Sequence, residues 1–351
     1  MATISIVGGG IAGLALAACL DQDRFEVSVT EQRPELPAVG TVLAMWPNAQ
    51  RALGKVGVLA EARTVSPVIG SGSIRNAAGE PWITVNGGQM FGISRVDLLR
   101  LLDAAVPDSV RRTTGRVHAV PSGASLVVGA DGVHSAVRRG TWGERTAARP
   151  TPYLAVRGTL PVPVRPEHVG EYWGRGDLFG IAAAAAGTNW YASYRSDQGA
   201  DGIDVASALE QARIRYAGHT NAIREVLAKA TPERSLVQGI WTTPRLRSFV
   251  RGKVVLIGDA AHAMTPNLGR GACEALVDAV TLAELLNALP VEEALRSYNR
   301  QRRLRTQLLG LASSALMRLA LMENAQPLRD RLLTLARRPK ARTAVVTGSS
   351  S

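Results

Sequence analysis

The string Gly8-Gly9-Gly10-Ile11-Ala12-Gly13 leaves this chain few folds to choose from. An apolar run, Thr3–Val7, stands before it, and Leu14–Leu20 continues at helical spacing after it. Glycines in that setting allow a sharp strand-to-helix turn, a close approach of a pyrophosphate to bare backbone, and tight packing of helix on strand. A second strand-like run, Glu26–Thr30, ends at Glu31. An acidic residue about 20 positions beyond the loop is placed to accept hydrogen bonds from an adenosine ribose. The glycine string alone is a weak signal. With a strand before it, a helix after it and the acid beyond, it specifies a dinucleotide-binding βαβ unit whose contacts are Gly8, Gly10, Ile11, Ala12, Gly13, Glu31 and Gln32. Arg33 stands either along the adenine and its phosphates or in solvent.

A second stretch, Val254–Asp278, has the same logic. Val254–Ile257 is apolar without alternation, the pattern of a strand buried on both faces. Gly258-Asp259 ends it, Pro266-Asn267 makes a turn, and Gly269-Arg270-Gly271 leads into an amphipathic helix, Ala272–Leu286. A carboxylate thus sits beside a glycine-lined helix N-terminus at the carboxyl end of a buried strand. Ligands of open α/β sheets bind at that edge, and bare N–H groups there suit an anion or an electron-rich ring edge.

"GDAAH" at Gly258–His262, "PNLGRGA" at Pro266–Ala272 and the helix carrying Asp278 resemble the second FAD motif of the flavin-dependent monooxygenases related to para-hydroxybenzoate and salicylate hydroxylases. That resemblance implies that Asp259 contacts the ribityl chain of a non-covalently held FAD. It implies also that Pro266, Gly269, Gly271 and Ala272 hold the isoalloxazine ring. "SRVDLLRLL", Ser94–Leu102, resembles the family helix whose arginine, here Arg95, points at the FAD phosphates; the other reading is a surface arginine in a first helical turn, with Ser94 as N-cap. "GADGVHSAVRR", Gly129–Arg139, is similar to a third motif near the pyrophosphate, which implicates Asp131, although an Asp-Gly pair by itself is an ordinary turn. The family's extra hairpin before that motif is replaced by Pro121-Ser122-Gly123. Trp46, just before "PNA", would border the flavin or else fill a core. His262 is the tempting catalytic base, but its place inside the common motif favours a structural role.

The fold implied is α/β: an FAD-binding Rossmann-like domain of the glutathione-reductase type, with an inserted antiparallel β-sheet substrate domain and C-terminal helices. The expected boundaries are 1–67, 94–149 and 246–290 for the FAD domain, 68–93 and 150–245 for the substrate domain, and 291–351 for the helical end. Val110–Val120 and Ser125–Val128 are expected strands of the first. In the second, Val68–Arg75 and Pro81–Val85 form a hairpin, and Tyr153–Leu160, Gly170–Trp173, Leu178–Ala185 and Asn189–Tyr194 read as strands between Gly and Pro turns. Trp46, Met90, Arg157, Tyr172, Phe179, Trp190 and Tyr194 are its candidate pocket residues; the string "VRGTL" around Arg157 is similar to a family strand whose arginine faces the domain interface. Val205–Ala217, Thr220–Ala230 and Val291–Leu321 have helical spacing. In the last, Leu295, Tyr298, Leu304, Leu308, Leu311, Ala315 and Leu319 form a stripe expected to pack on the FAD domain.

The formal net charge is +12, mostly from arginine. The basic residues are scattered or lie in runs without interleaved aromatics, so no nucleic-acid surface is expected. Cys19 and Cys273 are the only cysteines and no Cys/His cluster occurs, which suits a reduced, metal-free, cytoplasmic protein. No apolar run is long enough for a membrane helix and no signal peptide is visible, so no stable membrane association is expected. The resemblance implies a small aromatic or otherwise electron-rich molecule as partner, and the protein is expected to be a monomer or homodimer. Only one G-x-G-x-x-G is present, so no second dinucleotide domain is expected for NAD(P)H, and the resemblance implies that the nicotinamide docks transiently. The resemblance then implies hydroxylation or epoxidation with NAD(P)H and O2 through a flavin hydroperoxide. A flavin-dependent halogenase or geranylgeranyl-reductase-like enzyme is the alternative; Trp241-Thr242-Thr243-Pro244 fails the halogenase W-x-W-x-I-P pattern. A non-catalytic FAD-binding protein is the further one.

Overall fold

The computed structural model describes residues 1–33, 35, 41–86, 88–185, 187–196 and 203–336. The loop expected over Pro34–Gly40 (Glu35 apart), Gly87 and the tail after Pro339 lie outside the described residues. The chain opens with β1 (Ala2–Val7), α1 (Ile11–Cys19), β2 (Phe25–Glu31), β3 (Val42–Met45), α2 (Pro47–Val56) and α3 (Leu59–Thr64). It continues through β4 (Ser71–Asn76), β5 (Pro81–Asn86), β6 (Phe91–Ser94), α4 (Arg95–Ala104), β7 (Arg111–Thr114), β8 (Leu126–Gly129) and α5 (Ala136–Trp142). β9 (Arg149–Leu160), β10 (Gly170–Trp173), β11 (Asp177–Ala184) and β12 (Gly187–Arg195) precede α6 (Val205–Arg215) and α7 (Asn221–Lys229). β13 (Ser235–Thr242), β14 (Val250–Arg251), β15 (Val254–Leu256), α8 (Asp259–His262), α9 (Gly271–Ala288), α10 (Val291–Ala320) and α11 (Gln326–Ala336) complete it.

Two sheets carry the architecture. One has the order β14-β15-β8-β1-β2-β7 and is parallel except for β14 at its edge. All four residues of β8 are buried, as the unalternating apolar pattern of a sheet covered on both faces requires. β7 is shorter than the strand expected over Val110–Val120. Among the described residues it is an edge strand paired only with β2, and its ladder stops where β2 stops, at the Glu31–Thr114 pair. The other sheet, β13-β9-β12-β11-β10-β4-β5, is antiparallel except between β10 and β4. It joins residues 71–86 to residues 149–242. A two-stranded ribbon of β3 and β6 stands apart from both.

Local chemistry sets several of the boundaries. Ser94 Oγ accepts the Asp97 N–H at 3.0 Å and caps α4. Asp204 caps α6 by accepting the Ala206 N–H at 2.8 Å.

The stripe on α10 departs from expectation. Leu295 and Tyr298 are buried, but Leu304, Leu308, Leu311 and Leu319 are exposed. The middle of the helix turns Arg302, Thr306 and Ser313 inward instead. Arg302 meets buried carboxylates there, and Ser313 exchanges hydrogen bonds with Thr265 at 2.9 and 2.7 Å. Burying a charge demands that its partners be fixed in place, so the polar side decides the rotation of the helix and the leucines face out.

α11 is anchored by Arg329. Its guanidinium donates to Gly174 O (2.9 Å) and Ala320 O (2.7 Å), pairs with Asp330, and lies 5.7 Å from the Trp82 ring and 5.8 Å from the Trp173 ring. Arg329→Ala is expected to cost about 2–4 kcal/mol in thermal unfolding and to open α11 to limited proteolysis. Arg329→Lys should recover only part of the loss, because one ammonium cannot reach both carbonyls.

Candidate functional site

β1, β2, β8 and β15 are parallel, so their carboxyl ends lie at one edge of the sheet. Gly8, Glu31, Asp131 and Asp259 are gathered there. Gly8 has φ +107°, and a Cβ on it would lie 2.4 Å from Ala130 O; a Cβ on Gly13 would lie 1.9 Å from Gly8 O. Glu31 props the loop from the far side, accepting the Gly9 N–H at 2.7 Å and the Arg33 N–H at 2.8 Å. Gly10 differs from these: among the described residues no atom lies within 4 Å of where its Cβ would be, and no side chain caps α1. Bare N–H groups of a helix N-terminus thus open on free space, which fits a pyrophosphate. Ile11 and Ala12 form the first turn behind them, while Gln32 and Arg33 are exposed just past Glu31.

Asp259 is exposed and begins α8 directly after the turn at Gly258. Pro266–Leu268 forms a short 3-10 turn closed by Gly269 in the left-handed region, and Gly271 and Ala272 start α9, which no side chain caps. Trp46 comes close to that turn, with the Arg270 guanidinium 5.0 Å from its ring centroid. Trp46 Nε1, Asn267 Oδ1 and Arg270 Nε are all buried without a hydrogen-bond partner among the described residues. Buried polar atoms are normally satisfied. A set of donors and an acceptor left open beside two uncapped helix starts fits the polar edge of a flavin ring. Asp131 uses Oδ2 to accept the Ala136 and Val137 N–H groups and keeps a buried Oδ1 open. Arg95 is exposed at the start of α4. Met90 is half-buried before β6, where its carbonyl accepts the Ile69 N–H.

Beneath the cradle runs a chain of buried charges. Asp278 accepts the Gly258 N–H (2.9 Å), His262 Nε2–H (2.5 Å) and Arg302 Nε–H (2.6 Å). Arg302 also pairs with Glu274 at 2.6 Å, and Glu274 accepts from Arg270 at 2.8 Å and Asn48 at 3.2 Å. Burial opposes ionisation of Asp278, but His262 and Arg302 overturn it and hold the carboxyl down at about 2. Burial likewise opposes a charge on His262, and the Asp278 charge and hydrogen bond outweigh it, raising its pKa. His262 is buried with Nε2 committed to Asp278, and its Nδ1 is buried without a hydrogen-bond partner among the described residues. Arg138 ties two motifs together by donating to Ala260 O, Val133 O and Thr146 O; burial lowers it to about 10 against the pull of Asp131. The sequence pointed to neither Arg302 nor Glu274, since nothing in a helical stripe says which arginine turns inward.

The second sheet corrects four pocket candidates. Tyr172, Phe179, Trp190 and Tyr194 are buried against α6 and α7, with Phe179 stacked on Trp190 at 5.8 Å and edge-on to Tyr216 at 5.2 Å. They are core. Side chains alternate along a strand, so their sequence neighbours occupy the opposite face. Register lines up Arg157, Tyr191, Gly180 and Glu171 in one row across β9, β12, β11 and β10 of that face. Tyr191 lies over Gly180, where a Cβ would meet its ring at 2.0 Å, and donates to Glu171 Oε1 at 2.7 Å. Trp173 Nε1 donates to Glu171 Oε2 at 3.0 Å. One end of the face is linked to β3 through Asn189, which accepts the Val42 N–H, and the other is covered by Met317 and Ala320 of α10. Arg157, Tyr191 and Glu171 lie between them, largely buried but not closed off. Burial pushes Glu171 up and Arg157 down, the latter aided by Arg95.

The chain matches the family described as "FAD binding domain" over residues 104–310, and "NAD(P)-binding Rossmann-like domain" over residues 6–38. It is 32% identical to the Aurachin C monooxygenase/isomerase of Stigmatella aurantiaca, covering 81% of this chain and 80% of that one. It is also 32% identical to the 3-amino-4-hydroxybenzoate 2-monooxygenase of Streptomyces cremeus, over 86% and 84% of the two chains. The crystal structure of Klebsiella pneumoniae HpxO with FAD and uric acid superposes with a TM-score of 0.85 over 96% of this chain and 92% of that one, at 23% identity, a likeness of fold.

His262 sets the pH dependence of this region. Its folded pKa lies above the ordinary 6.5, so the stability it contributes is complete below that pH and is lost as pH rises through the folded value. Asp278 contributes above its ordinary 3.8, and that contribution is lost as pH falls toward 2. His262→Gln should flatten the alkaline slope of thermal stability. Asp278→Asn should lower the His262 pKa in an NMR titration and cost about 3–5 kcal/mol, because it leaves Arg302 short of a buried partner.

Proposed function

The chain belongs to the FAD-dependent monooxygenases, and from that premise we propose that it inserts one oxygen atom of O2 into a small aromatic substrate seated on the Arg157–Tyr191–Glu171 row, with NAD(P)H as reductant. When bound, FAD supplies the redox and oxygen-activating chemistry. The protein's own work is to bind, orient and exclude water. Gly8–Gly13 and the first turn of α1 take the pyrophosphate, Glu31 the ribose, and Asp259 a ribityl hydroxyl. The starts of α8 and α9, with Trp46, Asn267 and Arg270, set the ring and favour negative charge on it.

The observation that carries the substrate side is the polar row. Between a hydrogen-bonded link to β3 at one end and the apolar cover from α10 at the other, a guanidinium and a Tyr–Glu pair are left partly accessible. Such a floor recognises a planar ring that bears an acceptor oxygen and an N–H or O–H donor, within an apolar enclosure. The names of the relatives, an Aurachin C monooxygenase/isomerase and a 3-amino-4-hydroxybenzoate 2-monooxygenase, favour this reading and favour oxygen insertion over halogenation or reduction.

Purified protein is expected to be yellow and to release FAD on denaturation. Asp259→Ala, which removes one charge-assisted hydrogen bond of about 1.5–3 kcal/mol, should weaken FAD binding roughly tenfold to a hundredfold by equilibrium titration. With labelled O2 and a turned-over substrate, mass spectrometry should find one labelled oxygen in the product. Label from water alone, or product formed without O2, would remove the oxygenase assignment.

A further inference from the structure

The outward leucines of α10 have no use in the site above. Leu304, Leu308 and Leu311 are 58%, 64% and 48% exposed, and with Ala315 and Leu319 they form one stripe at i, i+4, i+7 spacing. At 1.5 Å per residue the stripe is about 22 Å long. α11, next in the chain, exposes Leu328, Leu332 and Leu335 at the same spacing. Soluble proteins rarely expose contiguous apolar rows of this size without a partner.

The charges around the stripe say what partner it fits. Residues 294–322 contain six arginines and no carboxylate. Arg302 is buried in its pairs with Asp278 and Glu274. At about 100° per residue, Arg300 and Arg318 flank the stripe on one side and Arg305 on the other. A second copy is a poor occupant. An antiparallel pairing centred between Leu308 and Leu311 would set Arg300 beside Arg318 of the partner subunit, twice, and a parallel pairing would set each arginine beside its own copy. Among the described residues no helix is long and apolar enough to cross a membrane. An apolar row with cations on both flanks suits a shallow seat on lipid headgroups.

We propose that the outer face of α10, with Leu304, Leu308 and Leu311 as the inserted row and Arg300, Arg305 and Arg318 as its flanks, docks the protein reversibly on an anionic bilayer surface. The leucines displace water at the acyl boundary, and the arginines meet lipid phosphates while their stems lie along the apolar layer. Nothing in this docking touches the buried side of α10.

Co-sedimentation of the FAD-loaded protein with vesicles tests it. Binding to phosphatidylcholine vesicles containing phosphatidylglycerol should exceed binding to phosphatidylcholine alone by roughly tenfold or more, and raised salt should reverse it. A combined Leu304→Gln, Leu308→Gln, Leu311→Gln variant should lose binding while keeping its FAD content and unfolding temperature, since all three side chains are exposed. A combined Arg300→Gln, Arg305→Gln, Arg318→Gln variant should lose the preference for anionic vesicles. The proposal is overturned by absence of binding to either vesicle, by equal binding to both, or by a leucine variant that binds like the parent. A solution dimer that the leucine variant converts to monomer, with no vesicle binding, overturns it in favour of a second copy.

Discussion

Asp278 is the interaction on which the rest of the structure turns. Its two oxygens accept three buried donors, from Gly258, His262 and Arg302. The first holds the turn that presents Asp259; the second fixes α8; the third brings in α10. Through Arg302 the same chain reaches Glu274, and from there Arg270 and Asn48, the residues that flank Trp46. A buried charge without a partner is among the costliest defects a fold can carry. The elements around the ring site therefore cannot shift independently. The same requirement reaches outward: α10 must give its polar side to this chain, and its leucines are left on the surface.

The second sheet works by alternation. One face is a hydrocarbon core with α6 and α7, built from Phe179, Trp190, Tyr194, Tyr216 and their neighbours. The other carries Arg157, Tyr191 and Glu171 in one line across four strands. Gly180 makes that line continuous, because the Tyr191 ring needs the space of a missing side chain to reach Glu171. The aromatic core face supports the polar face from behind, so the Arg157–Tyr191–Glu171 row stands on a closely packed layer.

The dinucleotide loop, the carboxyl-edge position of Asp259 and the α/β class were legible in the sequence for a common reason. Each rests on local backbone physics: glycines where a Cβ would strike Ala130 O or Gly8 O, an unalternating apolar strand, an acid at a strand end. The strand positions of the second sheet were readable from period-2 runs and turns, but the face was not. Aromatic character makes Tyr172, Phe179, Trp190 and Tyr194 pocket candidates, but one step along the strand changes the side of the sheet.

What the sequence alone determined, then, is whatever a few consecutive residues decide by sterics and hydrogen bonding: the glycine turns, the helix starts, the alternation and the family these spell. What only the tertiary structure decided is which way each stripe and face points. Tyr191 became accessible and Trp190 core because α6 and α7 covered one side of the sheet. Leu308 was left in solvent because Arg302 had to meet Asp278 and Glu274. Those outcomes depend on pairings between residues 24 to 28 positions apart or on different strands, and no local pattern encodes which of two amphipathic sides a distant carboxylate will claim.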